Sequence, residues 1–550
     1  FLKSTYGQDF YLELQRHGFD GSDELTKDEL SRLDSDVTED GGEESIDASS
    51  DQKIINQKLR EYSKKYNVPL VCTTDAHYLL KEDREVQTIL FAVKDGRQIA
   101  DDACRKGYVG TYITSPQEMD IKFSDCKEAI ENTMVIADKI EPFSIAHDRV
   151  QPKYWNLPKD KTAEEELRIQ TFAGAVKKYA GSDLRTGKKE KVEQSIIDKL
   201  QKEVLSGDLK NAKEFLGKDL VERLDYELKV IHDKGYDDYF LVVSDLMKWS
   251  ASQGILMGVR GSVAGSAAAH CLEIVEVEPI KWELYFERFL NPERPSPPDI
   301  DMDIQDSRRD EVIKYAEEKY GKESVAAITA VGRFKTKAAI RDVARVMGID
   351  LKIADRLSKM VKVHFGKVYP IDKMIKEDPE FASIIDGDPQ LQELATHVRK
   401  IENMSRHSSV HACGHLITPG PITDYVPLQL ETKGAGRQVT QLEGPWLEEL
   451  GLMKFDFLGL RTLTIIQKAI EIINKKHNLN VDFYTIPNDD KKTFELFSRG
   501  ETIGVFQFES PPMQQYLKEL KPETQEDICF LAAAYRPGAM AYISDYIKRK

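Results

Sequence analysis

The stretch Pro298-Asp299-Ile300-Asp301-Met302-Asp303-Ile304 alternates strictly between acidic and apolar residues. Successive side chains of a β-strand point to opposite faces, so the pattern predicts a strand that buries its three apolar residues. The other face would carry three carboxylates that repel one another and raise each other's pKa. Divalent cations relieve that repulsion, and Mg²⁺ prefers oxygen ligands and also binds substrate phosphates. The stretch therefore predicts a magnesium site, with a solvated acidic edge strand as the alternative.

A second alternating stretch, Lys454-Phe455-Asp456-Phe457-Leu458, lies far downstream. In a strand, Lys454 and Asp456 would share one face while the two phenylalanines lie on the other. A cation and an acid presented together suit a site that handles both metal and triphosphate. This stretch strengthens the case for a metal site.

A glycine-rich stretch, GVRGSVAGS (258–266), precedes the acidic strand. Glycines let backbone N–H groups approach phosphate closely, and a following helix would add its positive end. The stretch lacks the Gly-Lys-[Ser/Thr] ending of a Walker loop and is weak evidence alone. Together the three stretches suggest a nucleotidyltransferase, in which carboxylate-bound metals activate a 3′-hydroxyl and stabilise the pyrophosphate leaving group.

The length and composition of the chain indicate several globular domains, since it has 550 residues of which 41% are hydrophobic. We find no apolar run long enough to cross a bilayer, so no membrane partner is expected. The six cysteines are scattered without CxxC spacing, as in reduced cytoplasmic proteins. The chain starts at Phe1 and stops without a terminal pattern, so we expect it to be part of a longer protein.

The net charge of −16 is unevenly distributed. Residues 21–51 hold twelve acidic residues against two basic ones, and the segment 21–52 is predicted to be a solvated, mobile tether. Residues 333–367 hold ten basic residues against three acidic ones, at helical spacing. This basic stretch favours contact with DNA phosphates, although the net charge by itself argues against nucleic-acid binding.

Local patterns predict other elements. Residues 70–74 indicate a short buried strand that leads into Asp75-Ala76-His77, and residues 459–475 have the period of a helix. The alternation of strands and helices predicts a multidomain protein of α/β and α+β class.

The acidic strand belongs to the run LYFERFLNPERPSPPDIDMDIQDSRRDEVIKY (284–315). Further characteristic runs are GVRGSVAGS (258–266), TKAAIRDVARVMG (336–348), VHACGHLITPGPITDYVPL (410–428), GLMKFDFLGLRTL (451–463), GVFQFESPPM (504–513) and AAYRPGAM (533–540). In this order, the runs closely resemble the alpha subunits of bacterial DNA polymerase III, the C-family replicative polymerases. The resemblance spans nearly the whole chain.

The resemblance implies an architecture and an activity. The fold would be a nucleotidyltransferase palm of the polymerase-beta-like type with helical thumb and fingers, preceded by the C-terminal part of a PHP domain. The implied bounds are PHP 1–143 with an insertion at 21–52, palm 144–331 and 406–463, thumb 332–405, and incomplete fingers 464–550. The implied activity is DNA-templated DNA synthesis from a primer 3′-hydroxyl. The implied partners are primer–template DNA, deoxynucleoside triphosphates and, through regions beyond this sequence, the sliding clamp and other replicase subunits in the cytoplasm.

The resemblance also assigns residues. The catalytic ligands of two Mg²⁺ ions would be Asp299, Asp301 and Asp456, with Asp303 as an auxiliary carboxylate. The incoming triphosphate would be contacted by Arg260, Gly261, Ser262, Arg288 and Lys454. DNA would be contacted by Arg333, Lys335, Lys337, Arg341 and Arg345.

Two smaller groups leave alternatives open. Asp75 and His77 match a metal-ligand pair of intact PHP domains, which would hold Zn²⁺ or Mn²⁺; the alternative is a surface histidine beside a tyrosine. The residues His407, His411, Cys413 and His415 suggest zinc, but a structural role in the palm is favoured. The segment has the pattern of a loop followed by a strand, and only His411 matches the family pattern.

Two rival functions remain beside the polymerase. The N-terminal part would be a PHP-type metal-dependent phosphoesterase or 3′-exonuclease if Asp75 and His77 are its working residues. A non-catalytic scaffold would carry the same acidic cluster without binding metal.

Overall fold

The computed structural model describes the chain except residues 18–22, 24–47, 183–190, 295–296, 365, 432–435, 482, 484–485 and 537. The strands of the described residues are, in chain order, β1 (Leu12–Gln15), β2 (Leu70–Thr73), β3 (Met257–Arg260), β4 (Asp301–Gln305), β5 (Val325–Arg333), β6 (Val363–His364), β7 (Lys367–Val368), β8 (Ser405–Ile417), β9 (Leu428–Leu430), β10 (Gln438–Glu443) and β11 (Lys454–Leu460).

The α-helices of the described residues are α1 (Leu2–Tyr6), α2 (Ala48–Tyr66), α3 (Arg84–Asp95), α4 (Pro116–Lys122), α5 (Lys127–Asp138), α6 (Ala163–Tyr179), α7 (Gln194–Leu205), α8 (Lys210–Leu216), α9 (Lys218–Asp233), α10 (Asp237–Ser252), α11 (Ala267–Cys271), α12 (Arg309–Tyr320), α13 (Thr336–Val346), α14 (Leu351–Met360), α15 (Ile371–Glu377), α16 (Pro379–Asp386), α17 (Pro389–Ile401), α18 (Gly444–Glu449), α19 (Arg461–His477), α20 (Lys491–Arg499), α21 (Pro511–Leu520), α22 (Gln525–Ala534) and α23 (Ile543–Arg549). This content confirms the prediction of a mixed α/β protein.

The chain forms two compact units. One unit, called here the split unit, joins Phe1–Ser144 to Gly332–His407, and the other, called the sheet unit, joins Ile145–Val331 to Ser408–Lys550. Each unit is therefore built from two separate stretches of chain.

The split unit has a small parallel strand pair and a helical layer. Strand β1 pairs in parallel with β2, with Leu12 opposite Leu70, and Leu14 and Cys72 are buried there with Phe123. Helices α13, α14 and α17 form a second core that also includes Val86 and Ile89 of α3. The predicted strand at 70–74 is confirmed as β2, and the basic stretch from 333 is helical over α13 and α14.

The acidic segment 21–52 lies mostly outside the described residues, so its predicted role as a solvated tether stays a prediction; two parts of it are described. Asp23 is 5% exposed and pairs with Arg16 at 2.7 Å. At the other end, residues 48–52 form the first residues of α2. A buried carboxylate needs a partner, and Arg16 supplies it.

The sheet unit is built on a seven-stranded mixed sheet with the order β3-β4-β11-β8-β5-β10-β9. Helix α10 is apolar on nearly all sides, which is typical of a fully buried helix, and it packs against this sheet through residues such as Phe240 and Val243. The predicted helix at 459–475 begins at Arg461, because Gly459 and Leu460 complete β11. Among the described residues, we find no helix with the length and apolar character needed to span a membrane.

Candidate active site

The predicted acidic residues lie on two neighbouring strands of the sheet unit, Asp301 and Asp303 on β4 and Asp456 on β11, with Asp299 directly before β4. Strand β4 lies between β3, which is antiparallel to it, and β11, which is parallel to it. In this register Asp301 lies opposite Asp456 on one side and opposite Arg260 on the other. As the alternating pattern predicts, Ile300, Met302 and Ile304 are buried on the other face.

The structure brings Asp299, Asp301 and Asp456 together, with one carboxylate oxygen of each within 4.8 Å of the others. Asp299 is exposed, Asp301 is half-buried and Asp456 is 6% exposed. Burial raises the pKa of Asp301, and the negative charges of Asp299 and Asp456 raise it further. Three convergent, mutually repelling carboxylates fit a hard divalent cation such as Mg²⁺.

Asp303 is absent from this group. Its side chain is buried and accepts hydrogen bonds from two nitrogens of Arg260, one of them at 2.7 Å. The hydrogen bond to Asp303 is the largest cause of a raised pKa of Arg260. The structure therefore gives Asp303 the role of fixing Arg260, whose side chain remains 46% exposed.

Lys454 lies beside Asp456, with its Nζ 2.9 Å from Oδ2. Burial by itself lowers the pKa of Lys454, but the hydrogen bond and charge of Asp456 outweigh burial and raise it. The predicted cation and acid therefore share one face of β11, and the ammonium group is held at the edge of the carboxylate cluster.

The glycine-rich stretch turns sharply after β3. Gly261 has φ of 102°, a conformation that favours glycine, and a short 3₁₀ turn follows at Ser262–Gly265. The prediction that a following helix adds its positive end to a phosphate site is wrong. The N–H groups of Ala267 and Ala268, at the start of α11, donate instead to the buried carboxylate of Glu227, at 3.0 and 2.9 Å.

Arg288 ends the 3₁₀ turn Phe286–Arg288 and is exposed. Within the described part of the chain, it forms no ion pair. Its predicted contact with triphosphate stays a prediction.

The structure does not bring His407, His411, Cys413 and His415 of β8 together as one zinc site. The segment is a continuous strand from Ser405 to Ile417, so the predicted loop at its start is wrong. Of the four, His411 and Cys413 bring their side-chain ligand atoms together, and the third donor near them is Asp456. The Cys413 thiol donates to Asp456 Oδ1 at 3.2 Å, and His411 Nδ1 accepts from the N–H of Gly414 at 2.8 Å.

His415 is a structural residue of the sheet core. It is 4% exposed, its Nδ1–H donates to the carbonyl oxygen of Cys413 at 3.0 Å, and its ring meets that of Phe457 edge to face. Burial lowers the pKa of His415 to about 4. The imidazole is therefore neutral in the folded protein at neutral pH.

This burial predicts an acid-sensitive contribution to stability. The unfolded histidine takes up a proton below its ordinary pKa of 6.5, whereas the folded one does so only near 4. Stability from His415 is therefore fully present above pH 6.5 and is lost as the pH falls towards 4. Between pH 7 and pH 4.5, urea unfolding should show the wild-type chain losing about 2–3 kcal/mol more than His415→Gln. Equal losses of unfolding free energy in the two proteins would contradict the assignment of this pH dependence to His415.

Sequence reasoning missed the buried Tyr239 of α10, which lies beneath the acidic cluster. Burial raises the pKa of Tyr239, and the charges of Asp299 and Asp456 raise it further. Its ring packs against that of Phe455, with centroids 5.1 Å apart. No sequence motif distinguishes this tyrosine from the other aromatic residues of an apolar helix.

Comparison with known proteins identifies the family to which the chain belongs. Residues 190–459 match the model of the bacterial DNA polymerase III alpha NTPase domain, and residues 462–550 match that of the bacterial DNA polymerase III alpha subunit finger domain. The chain belongs to the bacterial DNA polymerase III alpha subunits.

Curated relatives agree over nearly the whole chain. The DNA polymerase III subunit alpha of Thermus aquaticus is 35% identical over 99% of this chain and 44% of its own length. The Aquifex aeolicus protein of the same name is 34% identical over 100% of the chain and 45% of its own length. The Escherichia coli O6:H1 protein of the same name is 35% identical over 89% of the chain and 40% of its own length. The chain thus spans less than half the length of these relatives.

Several of the residues predicted to contact DNA have partners within the split unit. Arg341 pairs with Asp355 at 2.9 Å, and Lys335 donates to Asn403 at 3.1 Å. Arg345 donates to the carbonyl oxygen of Val93 at 3.4 Å. Arg333 is exposed at the end of β5, and Lys337 is half-buried on α13. Their contact with DNA stays a prediction.

The predicted PHP ligands Asp75 and His77 lie close together after β2. His77 Nδ1 is 3.7 Å from Asp75 Oδ2, and Asp75 has φ of 48°, which is uncommon for a residue other than glycine. Sequence reasoning missed His17, which follows β1. Burial lowers its pKa, and the charges of Asp75 and His77 also act on it. The pairing of β1 with β2 therefore brings His17 into the neighbourhood of Asp75 and His77, but among the described residues these three are not a group with ligand atoms within 4.8 Å of one another.

Proposed function

We propose that this chain contains the catalytic core of a DNA-templated DNA polymerase, which adds deoxynucleotides to a primer 3′-hydroxyl and releases pyrophosphate. The convergence of Asp299 and Asp301, at the start of β4, with Asp456 of β11, in a member of the DNA polymerase III alpha family, carries the proposal. A scaffold without catalysis would have no use for a half-buried cluster of repelling carboxylates.

In this proposal, Asp299, Asp301 and Asp456 hold two Mg²⁺ ions. Bound there, the ions would stabilise negative charge on the attacking and leaving oxygens of the transferred group. The contribution of the chain itself is positioning, because hydrogen-bonded neighbouring strands set the spacing between Asp301 and Asp456 before substrate arrives. Tyr239 and Phe455 pack below and resist any shift of the two strands.

The triphosphate would be bound by Arg260, the turn at Gly261 and Ser262, Arg288 and Lys454. Arg260 uses two of its three nitrogens on Asp303, and in the described part of the chain the third has no hydrogen bond, so it can donate to a phosphate oxygen. Asp303 thus pre-orients the guanidinium group. Lys454 would neutralise charge at the Asp456 side of the same pocket.

The domain arrangement is proposed as follows: PHP 1–143, palm 144–331 and 406–463, thumb 332–405 and fingers 464–550. The division of the chain after Ser144, after Val331 and after His407 supports these bounds, as does the finger-domain match from residue 462. The basic helices α13 and α14 would contact the DNA backbone without reading sequence. The sliding clamp and other replicase subunits are proposed as further partners, in the cytoplasm.

A second candidate function is metal-dependent phosphoesterase or 3′-exonuclease activity in the N-terminal part. The contact between Asp75 and His77, with His17 in their neighbourhood, favours it, because imidazole and carboxylate ligands suit Zn²⁺ or Mn²⁺. This site would act independently of the acidic cluster in the sheet unit.

One assay tests both functions. The full-length protein is given a labelled primer–template, deoxynucleoside triphosphates and Mg²⁺, and primer extension is followed in the wild type and in the Asp301→Asn and Asp75→Asn variants. We expect Asp301→Asn to lose extension while retaining DNA binding in a gel-shift assay. Equal extension by wild type and Asp301→Asn would refute the polymerase proposal. If the second function is present, the wild type should also remove nucleotides from the primer 3′ end. Asp75→Asn should then abolish this removal while extension survives.

A further inference from the structure

His397, on α17 of the split unit, is buried without a hydrogen-bond partner. The residue is 5% exposed, and neither ring nitrogen has a hydrogen-bond partner within the described residues. Buried polar groups in folded proteins nearly always have such partners, so an orphaned imidazole requires an explanation. No role in DNA synthesis accounts for it.

Two carboxylates face the Nε2 atom of His397. Glu393, one turn earlier on α17, places Oε1 at 3.6 Å, and Glu85 of α3 places Oε1 at 3.8 Å. Both distances exceed those of a good hydrogen bond. Both carboxylates reach solvent, since their side chains are 54% and 58% exposed. The imidazole is therefore buried, while the two acids beside it reach solvent.

The spacing of these donors suits a bound ion. One ligand atom from each of the three residues lies within 4.8 Å of the others. A tetrahedral Zn²⁺ with ligands at about 2.1 Å separates its ligand atoms by about 3.4 Å. The two separations measured from Nε2 are close to that value, and the exposed glutamate side chains can close the remaining gap without movement of the backbone.

The donor set selects the kind of ion. Mg²⁺ takes oxygen ligands and retains much of its water, so it gains little from an imidazole. A site with one imidazole and two carboxylates suits Zn²⁺ and similar divalent transition metals, with water in the remaining position. The spacing of Glu393 and His397 places both ligands on one side of α17.

We propose that Glu85, Glu393 and His397 form a binding site for a divalent transition-metal ion of the Zn²⁺ type, which ties α3 to α17. A neighbouring ion pair, between Lys400 Nζ and Asp83 at 2.6 Å, joins the same two regions and holds the ligands in register. The site is distinct from the acidic cluster of β4 and β11 and from Asp75 and His77. Its role is structural, because it joins helices that are far apart in sequence.

The first test measures metal uptake. The full chain is stripped with a chelator, kept in millimolar Mg²⁺ to occupy hard-ion sites, and titrated with Co²⁺ in competition with Zn²⁺. The wild type should bind one more Co²⁺ than Glu85→Gln or Glu393→Gln, or bind it at least about tenfold more tightly, since even the hydrogen-bond partners of metal ligands are worth about 10–100-fold in affinity. The matched control is Glu82→Gln, an exposed acid near Glu85, which should behave like the wild type.

The spectrum identifies the ligands. Cobalt at the proposed site should give visible d–d bands without the sulfur-to-metal charge-transfer band that a site including Cys413 would produce. Equal Co²⁺ stoichiometry and affinity in the wild type and both glutamine variants would overturn the proposal.

A second measurement separates a metal site from a simple ion pair between protonated His397 and the glutamates. Zn²⁺ should raise the midpoint of thermal unfolding of the wild type and of Glu82→Gln, but not of His397→Phe, whose apolar ring suits the buried position without metal. If Zn²⁺ leaves the wild-type midpoint unchanged, the three residues form only an ion-pair cluster and the proposal fails.

Discussion

Replacing Asp456 with asparagine is expected to lower the rate of primer extension by the full-length protein at least about a thousandfold, or about 4 kcal/mol in transition-state stabilisation. Asparagine has nearly the same size, so the buried position stays filled, but it removes the charge that would hold a cation beside Asp301. Asp456 is the most buried carboxylate of the three, and burial strengthens its electrostatic interactions. Binding of primer–template DNA should be retained.

The matched control is Asp306→Asn. Asp306 directly follows β4 and is exposed, but it lies outside the group formed by Asp299, Asp301 and Asp456. The comparison uses steady-state extension rates of the two variants. These rates are measured at saturating nucleotide and at several Mg²⁺ concentrations. A rate for Asp456→Asn within about tenfold of the control would contradict the assignment of Asp456 as a catalytic ligand.

Replacing Glu227 with alanine is expected to destabilise the sheet unit by about 3–5 kcal/mol, the usual cost of removing one member of a buried charged pair. Glu227 is fully buried on α9 and accepts hydrogen bonds from four donors: Arg223 at 2.5 Å, Ser266 at 2.8 Å, Ala267 at 3.0 Å and Ala268 at 2.9 Å. Burial raises its pKa, whereas Arg223 and the N–H groups of Ala267 and Ala268 favour the ionised form. Its removal leaves all four donors without that acceptor.

The control for this change is Glu222→Ala, on the same helix. Glu222 is exposed, and within the described residues its ion pair is with Lys218, at 3.5 Å, so its loss should cost less than about 0.5 kcal/mol. Urea unfolding of both variants provides the measurement. Because Glu227 holds the start of α11 directly after the Gly261 turn, extension by Glu227→Ala should also require higher nucleotide concentrations. If Glu227→Ala is as stable as the Glu222→Ala control, the hydrogen bonds to Glu227 do not contribute to the stability of the sheet unit.

Much of the acidic cluster could be predicted from local pattern. Alternation of acidic and apolar residues specifies which side chains share a face of a strand, whatever the strand pairs with. The burial of Ile300, Met302 and Ile304, and the common face of Lys454 and Asp456, follow from that rule. The same reasoning failed for Asp303, because its position on a face does not reveal that Arg260 occupies the neighbouring strand.

The glycine-rich turn illustrates a second failure. The sequence shows glycines and a short helix, and backbone N–H groups at a helix start are a common phosphate site. Glu227, from a helix earlier in the chain, already accepts from those groups. Which acceptor satisfies a helix terminus depends on the packing of distant elements.

The sequence by itself determined the family, the mixed α/β class, the acidic and apolar faces of β4 and β11, and the helices of the basic stretch. These features depend on residue type and on spacing within one element. Only the tertiary structure decided that Asp456 lies opposite Asp301, that His17 lies close enough to Asp75 and His77 to feel their charges, and that His397 is buried beside two glutamates. Strand pairing and helix packing are chosen by the burial of side chains from remote segments, and short-range periodicity carries no record of which segments meet.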